Sequence, residues 1–291
     1  FDPTPFFAPF FMMFFGFCFG DAGYGIIIVT ACTLLKRKVA PEVRPFLSLF
    51  QFLGLATIIF GLLSGSFLGI ALADVKALSS FKHYFLNTDN LMTLSIIVGL
   101  LQIVFGKCVA AAQVIYLKGW KYGIAPIGWI VVIVAALTIY GLPMLEIVLP
   151  PVALNVCNAL MLAGLLVAMF YNSPGKNVFM NFGSGLWNAY NLASGLLGDT
   201  LSYIRLFAIG LTGAILGGVF NELAFTMTDG LNVVLRAVLV LLILLVGHSI
   251  NFGLCMISSM VHPLRLTFVE YYKNAEFAGG GKSFNPFKLE K

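Results

Sequence analysis

Gly198-Asp199-Thr200-Leu201-Ser202-Tyr203-Ile204-Arg205-Leu206-Phe207-Ala208-Ile209-Gly210-Leu211 places one guanidinium, Arg205, among aliphatic and aromatic neighbours. The surroundings make that charge expensive. Of the 291 residues, 60% are hydrophobic and 10% charged, whereas soluble domains carry about 25% charged residues. Apolar runs long enough to cross a ~30 Å hydrocarbon core at ~1.5 Å per residue recur along most of the chain and leave no room for a separate soluble domain. The expected fold is all-α, a single polytopic transmembrane domain over residues 1–291.

Seven apolar blocks fall at 6–35, 46–72, 90–117, 124–142, 152–171, 178–226 and 231–272, separated by short polar or proline-bearing breaks. Basic residues alternate between those breaks: Lys36, Arg37, Lys38 and Arg44, then Lys118 and Lys121, then Lys176, then the tail. The positive-inside rule puts these loops and the tail on the cytoplasmic side, in agreement with single crossings from the second block onward. The net charge of +5 thus reports topology, and no nucleic-acid partner is expected. The first block conflicts with this pattern. Its centre, Gly16-Phe17-Cys18-Phe19-Gly20-Asp21-Ala22-Gly23-Tyr24-Gly25, is a poor helix interior, since each Gly costs roughly 1 kcal/mol relative to Ala. Residues 6–35 are either one span or a tight hairpin of two short helices that returns residue 1 to the cytoplasm, for about seven or eight membrane helices in all. The last two blocks exceed a perpendicular crossing, because 178–226 would reach about 70 Å as one helix. They are expected to be tilted, kinked or partly laid in the interface.

Alternating steps of three and four along 178–226 pick out Asn181, Ser184, Asn188, Asn191, Gly195, Gly198, Ser202, Arg205, Ile209 and Thr212. The same reading of 231–272 gives His248, Asn251, Cys255, Ser258, His262 and Arg265. Polar seams of this period in apolar helices turn toward protein or water. Small and polar residues also glue membrane helices together, and the neutral members need no more than that. The arginines do, since a mid-membrane Arg costs at least ~2.5 kcal/mol and marks a pathway or a paired charge.

Arg205 has no carboxylate one turn away: Asp199 lies six residues back, about 120° around an ideal helix. Of the other acids in or near spans, Glu146 and Glu222 lie toward the outer ends, and Asp21 is open to pairing with Arg205 or Lys107 through tertiary contact. Failing that, the partner acid belongs to another subunit. A fixed cation facing an exchangeable carboxylate favours the ionised acid and so promotes release of the cation it carries. His248 and His262 lie about 21 Å apart along a helix and cannot share a metal. Cys18, Cys32, Cys108, Cys157 and Cys255 lack CxxC spacing and read as small core residues. The tail stretch Phe277–Ser283 fails as a phosphate loop because Glu276 stands where its first glycine belongs. No nucleotide, metal or hydrolytic motif is visible, so no cofactor and no catalytic residue is expected in this chain.

The stretches PFFMMFFGFCFGDAGYG (9–25), LSYIRLFAIGL (201–211), HPLRLTFVEYY (262–272) and GGGKSFNPF (279–287) together resemble the membrane domain of subunit a of vacuolar ATPases, called subunit I in V/A-type ATPases. The resemblance spans nearly the whole chain in order. It implies a scaffold over 1–175, two long ring-facing helices over 176–275 and a cytoplasmic tail over 276–291. It further implies a stator beside a rotating ring of proteolipid subunits, supplying half-channels for H⁺ or Na⁺ while ATP is made or hydrolysed elsewhere. By position, Arg205 resembles the arginine that faces the ring carboxylate, and Arg265 resembles the second arginine, with His262 and Glu270 in the same element. Asp199, Ser202, Glu222, His248, Asn251 and Ser258 are the remaining half-channel candidates. Eukaryotic members carry a glutamate where this chain has Cys255 and a histidine where it has Gly213, so their route cannot be copied across.

The implied partners are the rotor ring, the family's own N-terminal cytoplasmic domain, peripheral stalk subunits and the lipid bilayer. The chain begins FDPTPFFAPF, with no initiator Met and no signal peptide, which suggests that an upstream domain is missing. The short 73–89 loop favours a bacterial or archaeal source and hence a prokaryotic plasma membrane, with endomembranes the eukaryotic alternative. The rival reading is a self-contained secondary transporter that binds an anionic substrate with both arginines at midplane.

Overall fold

Gly20 and Asp21 break the first apolar block into two helices in the computed structural model, which describes residues 4–72, 88–144, 147, 149–171 and 178–276. Helix α1 (Thr4–Phe19) ends at Gly20, whose φ of 60° suits a residue without Cβ, and α2 (Ala22–Lys36) begins after Asp21. Helix α3 (Arg44–Ser64) decides how the two are arranged. Ser64 donates to the Gly20 carbonyl at 3.0 Å, and Gly16 lies against Ala56. At the opposite end, the Lys36 ammonium donates to Ser48 at 2.8 Å. Helix α1 is therefore parallel to α3 and α2 antiparallel to it, so the first block is a hairpin. Residue 4 lies at the same end of the bundle as the 37–43 turn.

Asp21 is the keystone of that hairpin. One carboxylate oxygen caps α2 by accepting from the Gly23 and Tyr24 amides at 2.8 and 3.3 Å, and it also accepts from the Leu68 amide at 2.8 Å. The other accepts from the Ser66 hydroxyl and the Gly69 amide, both at 2.9 Å. Ser66–Phe67 (β1) and Ile70–Ala71 (β2) form a two-residue antiparallel ladder whose turn holds Leu68 and Gly69 at φ of 49° and 72°. Positive φ is uncommon for a leucine, and the carboxylate clamps the turn in that conformation. Asp21 is 1% exposed and its bonds go to neutral donors, so it is no partner for Arg205 or Lys107. A helix N-terminus already supplies the positive potential that its charge needs.

The remaining helices are α4 (Thr88–Lys118), α5 (Trp120–Ala136), a π-turn at Leu137–Gly141, the short α6 (Leu142–Met144), α7 (Pro151–Phe170), α8 (Val178–Met227) and α9 (Val233–Arg265). Helix α9 continues through a second π-turn (Leu266–Tyr271) into α10 (Tyr272–Asn274). Among the described residues, six segments are long and apolar enough to cross a membrane, and α1 and α2 are shorter apolar helices. The fold is thus all-α and polytopic, with two long helices at its C-terminal end. Helix α8 is one uninterrupted rod of 50 residues, about 75 Å long. Helix α1 sits between α3, α4, α8 and α9, where Phe14, Cys18, Val98, Ile103, Tyr203 and Leu266 form the central core.

Close backbone approach takes over the role that water exclusion plays in soluble cores, since lipid is as apolar as leucine and offers no such drive. A Cβ on Gly61 would come within 2.1 Å of the Ala22 nitrogen, and one on Gly69 within 2.3 Å of the Gly217 carbonyl carbon. Of the cysteines, Cys18, Cys32 and Cys255 are buried as expected, Cys157 is half-buried, and Cys108 is exposed, all of them free thiols. Glu146, Lys176 and the tail from 277 lie outside the described residues.

Asp21→Ala removes the acceptor of five hydrogen bonds and leaves buried amides unpaired, at a cost of about 3 kcal/mol or more. The thermal unfolding midpoint of the purified chain in detergent is expected to fall by several degrees, with Asp21→Asn in between; an unchanged midpoint for Asp21→Ala contradicts the keystone role.

Candidate functional site

Helices α8 and α9 pack antiparallel, and along their shared axis the polar residues gather into two clusters with the arginines between them. The cluster beside the β1–β2 turn is built on Tyr24, Asn221, His248 and Asn251. Asn251 donates to the Tyr24 hydroxyl at 3.1 Å and to the Gly213 carbonyl at 2.9 Å. The Tyr24 hydroxyl lies 2.7 Å from His248 Nδ1, and His248 Nε2 lies 3.0 Å from Asn221 Oδ1. Asn221 in turn donates to the Leu68 carbonyl at 2.9 Å. Because Tyr24 already accepts from Asn251, its own hydrogen goes to Nδ1. The tautomer that satisfies the whole chain carries hydrogen on Nε2 and donates it to Asn221. His248 is therefore a fully bonded member of a continuous polar wire. Cys255 extends the wire by donating to Asn251 Oδ1 at 3.5 Å.

The second cluster lies toward the end of α9. Asp199 is 6% exposed and accepts from Asn274 at 2.9 Å, with the Lys273 ammonium 3.7 Å away. Glu270 is 3% exposed, stands beside Ser202 and keeps one carboxylate oxygen without a partner. Tyr203, fully buried on α8, donates to Gln102 of α4 at 3.0 Å. Along α8 the two clusters are offset from Arg205 by about 9 Å at Asp199 and about 12 Å at Gly213.

Arg205 is half-buried and Arg265 exposed, and both lie within Coulombic reach of His262, whose Nδ1 is buried and without a hydrogen-bond partner. Among the described residues, neither arginine makes an ion pair or a hydrogen bond, and Arg265 lies within Coulombic reach of the buried Glu270. Arg205 continues an open stripe of α8 formed by Leu201, Ala208, Thr212, Ile215 and Val219. Arg265 stands on the open side of α9 with Val261 and Phe268.

The seam of α9 does not face one surface throughout. Its buried line runs Gly247, Asn251, Cys255, Ser259 and Pro263 in steps of four, so His248 and Asn251 point inward while Ser258 is half-buried and Arg265 swings out. A strict 3.5-residue seam drifts on a 3.6-residue helix. Pro263 lacks the N–H that a helix interior uses, and the π-turn that follows shifts the register so that Thr267 and Glu270 return to the buried side. Glu222 is exposed on α8 and joins neither cluster. The seams did not reveal Tyr24, Asn221, Lys273 or Asn274 as site members. Tyr24 lies in another block, where only the density of glycines signalled close approach, and the other three fall off the period.

No protein-family model matches the chain. Curated relatives do. Over 305 aligned positions it is 30% identical to V-type ATP synthase subunit I of Borreliella burgdorferi, covering 98% of this chain and 49% of that protein. It is 30% identical to A-type ATP synthase subunit I of Methanothermobacter thermautotrophicus, covering 100% of this chain and 42% of the relative. With the A-type subunit I of Methanocaldococcus jannaschii it shares 26% identity over 100% of this chain and 45% of that protein. The chain belongs to the V/A-type ATP synthase subunit I family. It spans about half the length of the curated relatives it matches. Within this subunit I chain, a fixed polar wire, a partly unsatisfied acidic cluster and two unpaired guanidiniums are all carried by one helix pair and the hairpin behind it.

Tyr24→Phe removes the hydroxyl that links His248 to Asn251 and leaves one buried acceptor and one buried donor unpaired, at about 1–3 kcal/mol. A lower unfolding midpoint is expected for Tyr24→Phe, and His248→Ala in that background should add less than it does alone. Additive effects in this double-mutant cycle contradict the wire.

Proposed function

We propose that the chain is the membrane part of the stator in a rotary V/A-type ATPase, and that Arg205 faces an ion-carrying carboxylate on the rotor ring. The observation that carries this reading is the Arg205 guanidinium, half-buried on α8 with no ion pair and no hydrogen bond among the described residues. Asp21 and Asp199 are answered within the chain, whereas Arg205 makes no ion pair among the described residues and Arg265 has Glu270 within Coulombic reach but no ion pair. A mid-membrane arginine without an internal partner is expected to meet its counter-charge on another subunit. A second support is the coverage of α9. Only 6% of the most apolar stretch of Val233–Asn274 is buried within the chain, so a long apolar face is left for lipid or a partner.

The mechanism follows from the two clusters on either side of Arg205. A ring carboxylic acid arriving beside the guanidinium gives up its proton, or its Na⁺, because the fixed cation stabilises the carboxylate. The released ion leaves through the polar residues of one cluster, and the ring carboxylate is reloaded from the other as rotation carries it past. In this scheme the wire of Tyr24, His248, Asn251 and Asn221 borders one half-channel. Asp199, Ser202 and Glu270 border the other, with His262 and Arg265 between. An ion moving directly from one cluster to the other must pass a fixed positive charge in low dielectric, so Arg205 also prevents leakage. Glu222 and Ser258 lie off both routes in this scheme. The family's N-terminal cytoplasmic domain and peripheral stalk subunits would hold the chain against rotation, in the plasma membrane of a prokaryote.

Arg205→Ala in the reconstituted complex is expected to reduce ATP-driven ion transport to background while the chain stays folded. The free chain's unfolding midpoint should not fall, because an unpaired charge that costs ~2.5 kcal/mol or more in the membrane is being removed. Ion transport that stays coupled to ATP in Arg205→Ala overturns the assignment.

A further inference from the structure

A cavity of about 560 Å³ lies between α4, α5 and α8 at the end of the bundle where α10 terminates. Pockets for small ligands run from ~300 to ~1,000 Å³. Helix α4 contributes Lys107, Ala110, Val114 and Lys118. The two lysines are eleven residues apart, three turns of about 16 Å in all, and so lie on one face with two small residues leaving a slot between them. Facing them, α5 presents Tyr122 and Trp129, and α8 presents Asn191 and Gly195. A Cβ on Gly195 would stand 3.3 Å from the Lys273 ammonium, which closes the end of the cavity.

The charges in this cavity do not balance. Lys107, Lys118 and Lys273 line it against one acid, Glu276. Lys273 is partly answered by Asp199 at 3.7 Å, but Lys107, half-buried within a membrane span, has no ion pair among the described residues. Lys107 lies within Coulombic reach of Glu276 and Asp199 as well as of Lys273, so three ammonium groups share two carboxylates. The remaining walls, including Pro126, Leu192 and Leu196, are apolar. At the α4–α5 corner Tyr116 and Trp120 are 89% and 65% exposed, the residue types that settle at a lipid–water boundary.

We propose that this cavity binds the phosphate headgroup of an anionic phospholipid. The three ammonium groups hold the phosphate oxygens, and the acyl chains leave along the apolar walls. Basic pockets between membrane helices are suited to such headgroups. The apolar walls and aromatic rim favour a lipid over free phosphate, which would use only the lysines. The cavity shares Lys273 and Asn274 with the Asp199 cluster, so the variants are confined to Lys107, Lys118 and Ala110, and the test reads lipid rather than transport.

The assembled complex is delipidated, exchanged into nanodiscs of phosphatidylcholine with or without phosphatidylglycerol, re-extracted and analysed for retained lipid by native mass spectrometry. Retention of phosphatidylglycerol over phosphatidylcholine is expected, and at least a tenfold loss of that preference in the double variant Lys107→Gln/Lys118→Gln. A second variant, Ala110→Trp, fills the slot without changing charge and should lose the lipid while the complex still assembles and pumps. Equal retention of the two lipids overturns the proposal, as does undiminished phosphatidylglycerol retention by both variants. Displacement of the lipid by inorganic phosphate at equimolar concentration would assign the lysines to a free anion and overturn the lipid assignment.

Discussion

A charge in hydrocarbon has to be answered, and this chain answers its charges in two different ways. Asp21 and Asp199 are answered from within, by backbone amides, a hydroxyl, an amide side chain and an ammonium. Arg205 makes no ion pair among the described residues, and Arg265 has Glu270 within Coulombic reach but no ion pair. Within the chain, the electrostatics of the helix pair are left incomplete at Arg205. This incompleteness separates two polar clusters by a fixed positive charge and leaves the open faces of α8 and α9 uncovered.

The scaffold serves that arrangement by being stiff where the long helices need support. Asp21 ties the α1–α2 hairpin to the β1–β2 turn, and the turn's Gly69 backs directly onto Gly217 of α8. The same hairpin sends Tyr24 into the polar wire, so that the capping carboxylate and the hydroxyl bonded to His248 lie three residues apart. Tilt and rotation of α8 are set from one side by this glycine contact and from the other by the Tyr203–Gln102 bond to α4. The opposite face needs no such support.

The class of fold was legible because apolar runs of membrane length can hardly be anything else, and the four glycines around Asp21, through their cost to a helix, raised a hairpin as one of two readings of the first block. The arginines were legible for the same energetic reason. Which faces the polar seams would turn inward was not. Residue periodicity holds for an undisturbed helix, and α9 is disturbed by Pro263 and the π-turn after it, which bury Glu270 and expose Arg265. Asp21 was equally opaque: beyond its own helix cap, it is held by the Leu68 and Gly69 amides, 47 and 48 residues later, and backbone donors leave no mark in a sequence. Cys108 shows the same limit from the other side, since an apolar run alone does not say which of its faces meets a neighbour.

Disulfide trapping in the assembled complex tests the central claim most directly. Cysteine introduced at Ala208, one turn from Arg205 on the open stripe, is paired with cysteine placed next to the acidic residue of the rotor subunit, and Ser259→Cys in the buried line of α9 serves as the control. The account predicts rapid oxidation to a stator–rotor crosslink from position 208 that stops rotation, and none from position 259. A crosslink from 259, or none from 208 under conditions that trap a known neighbouring pair in the same complex, would contradict it.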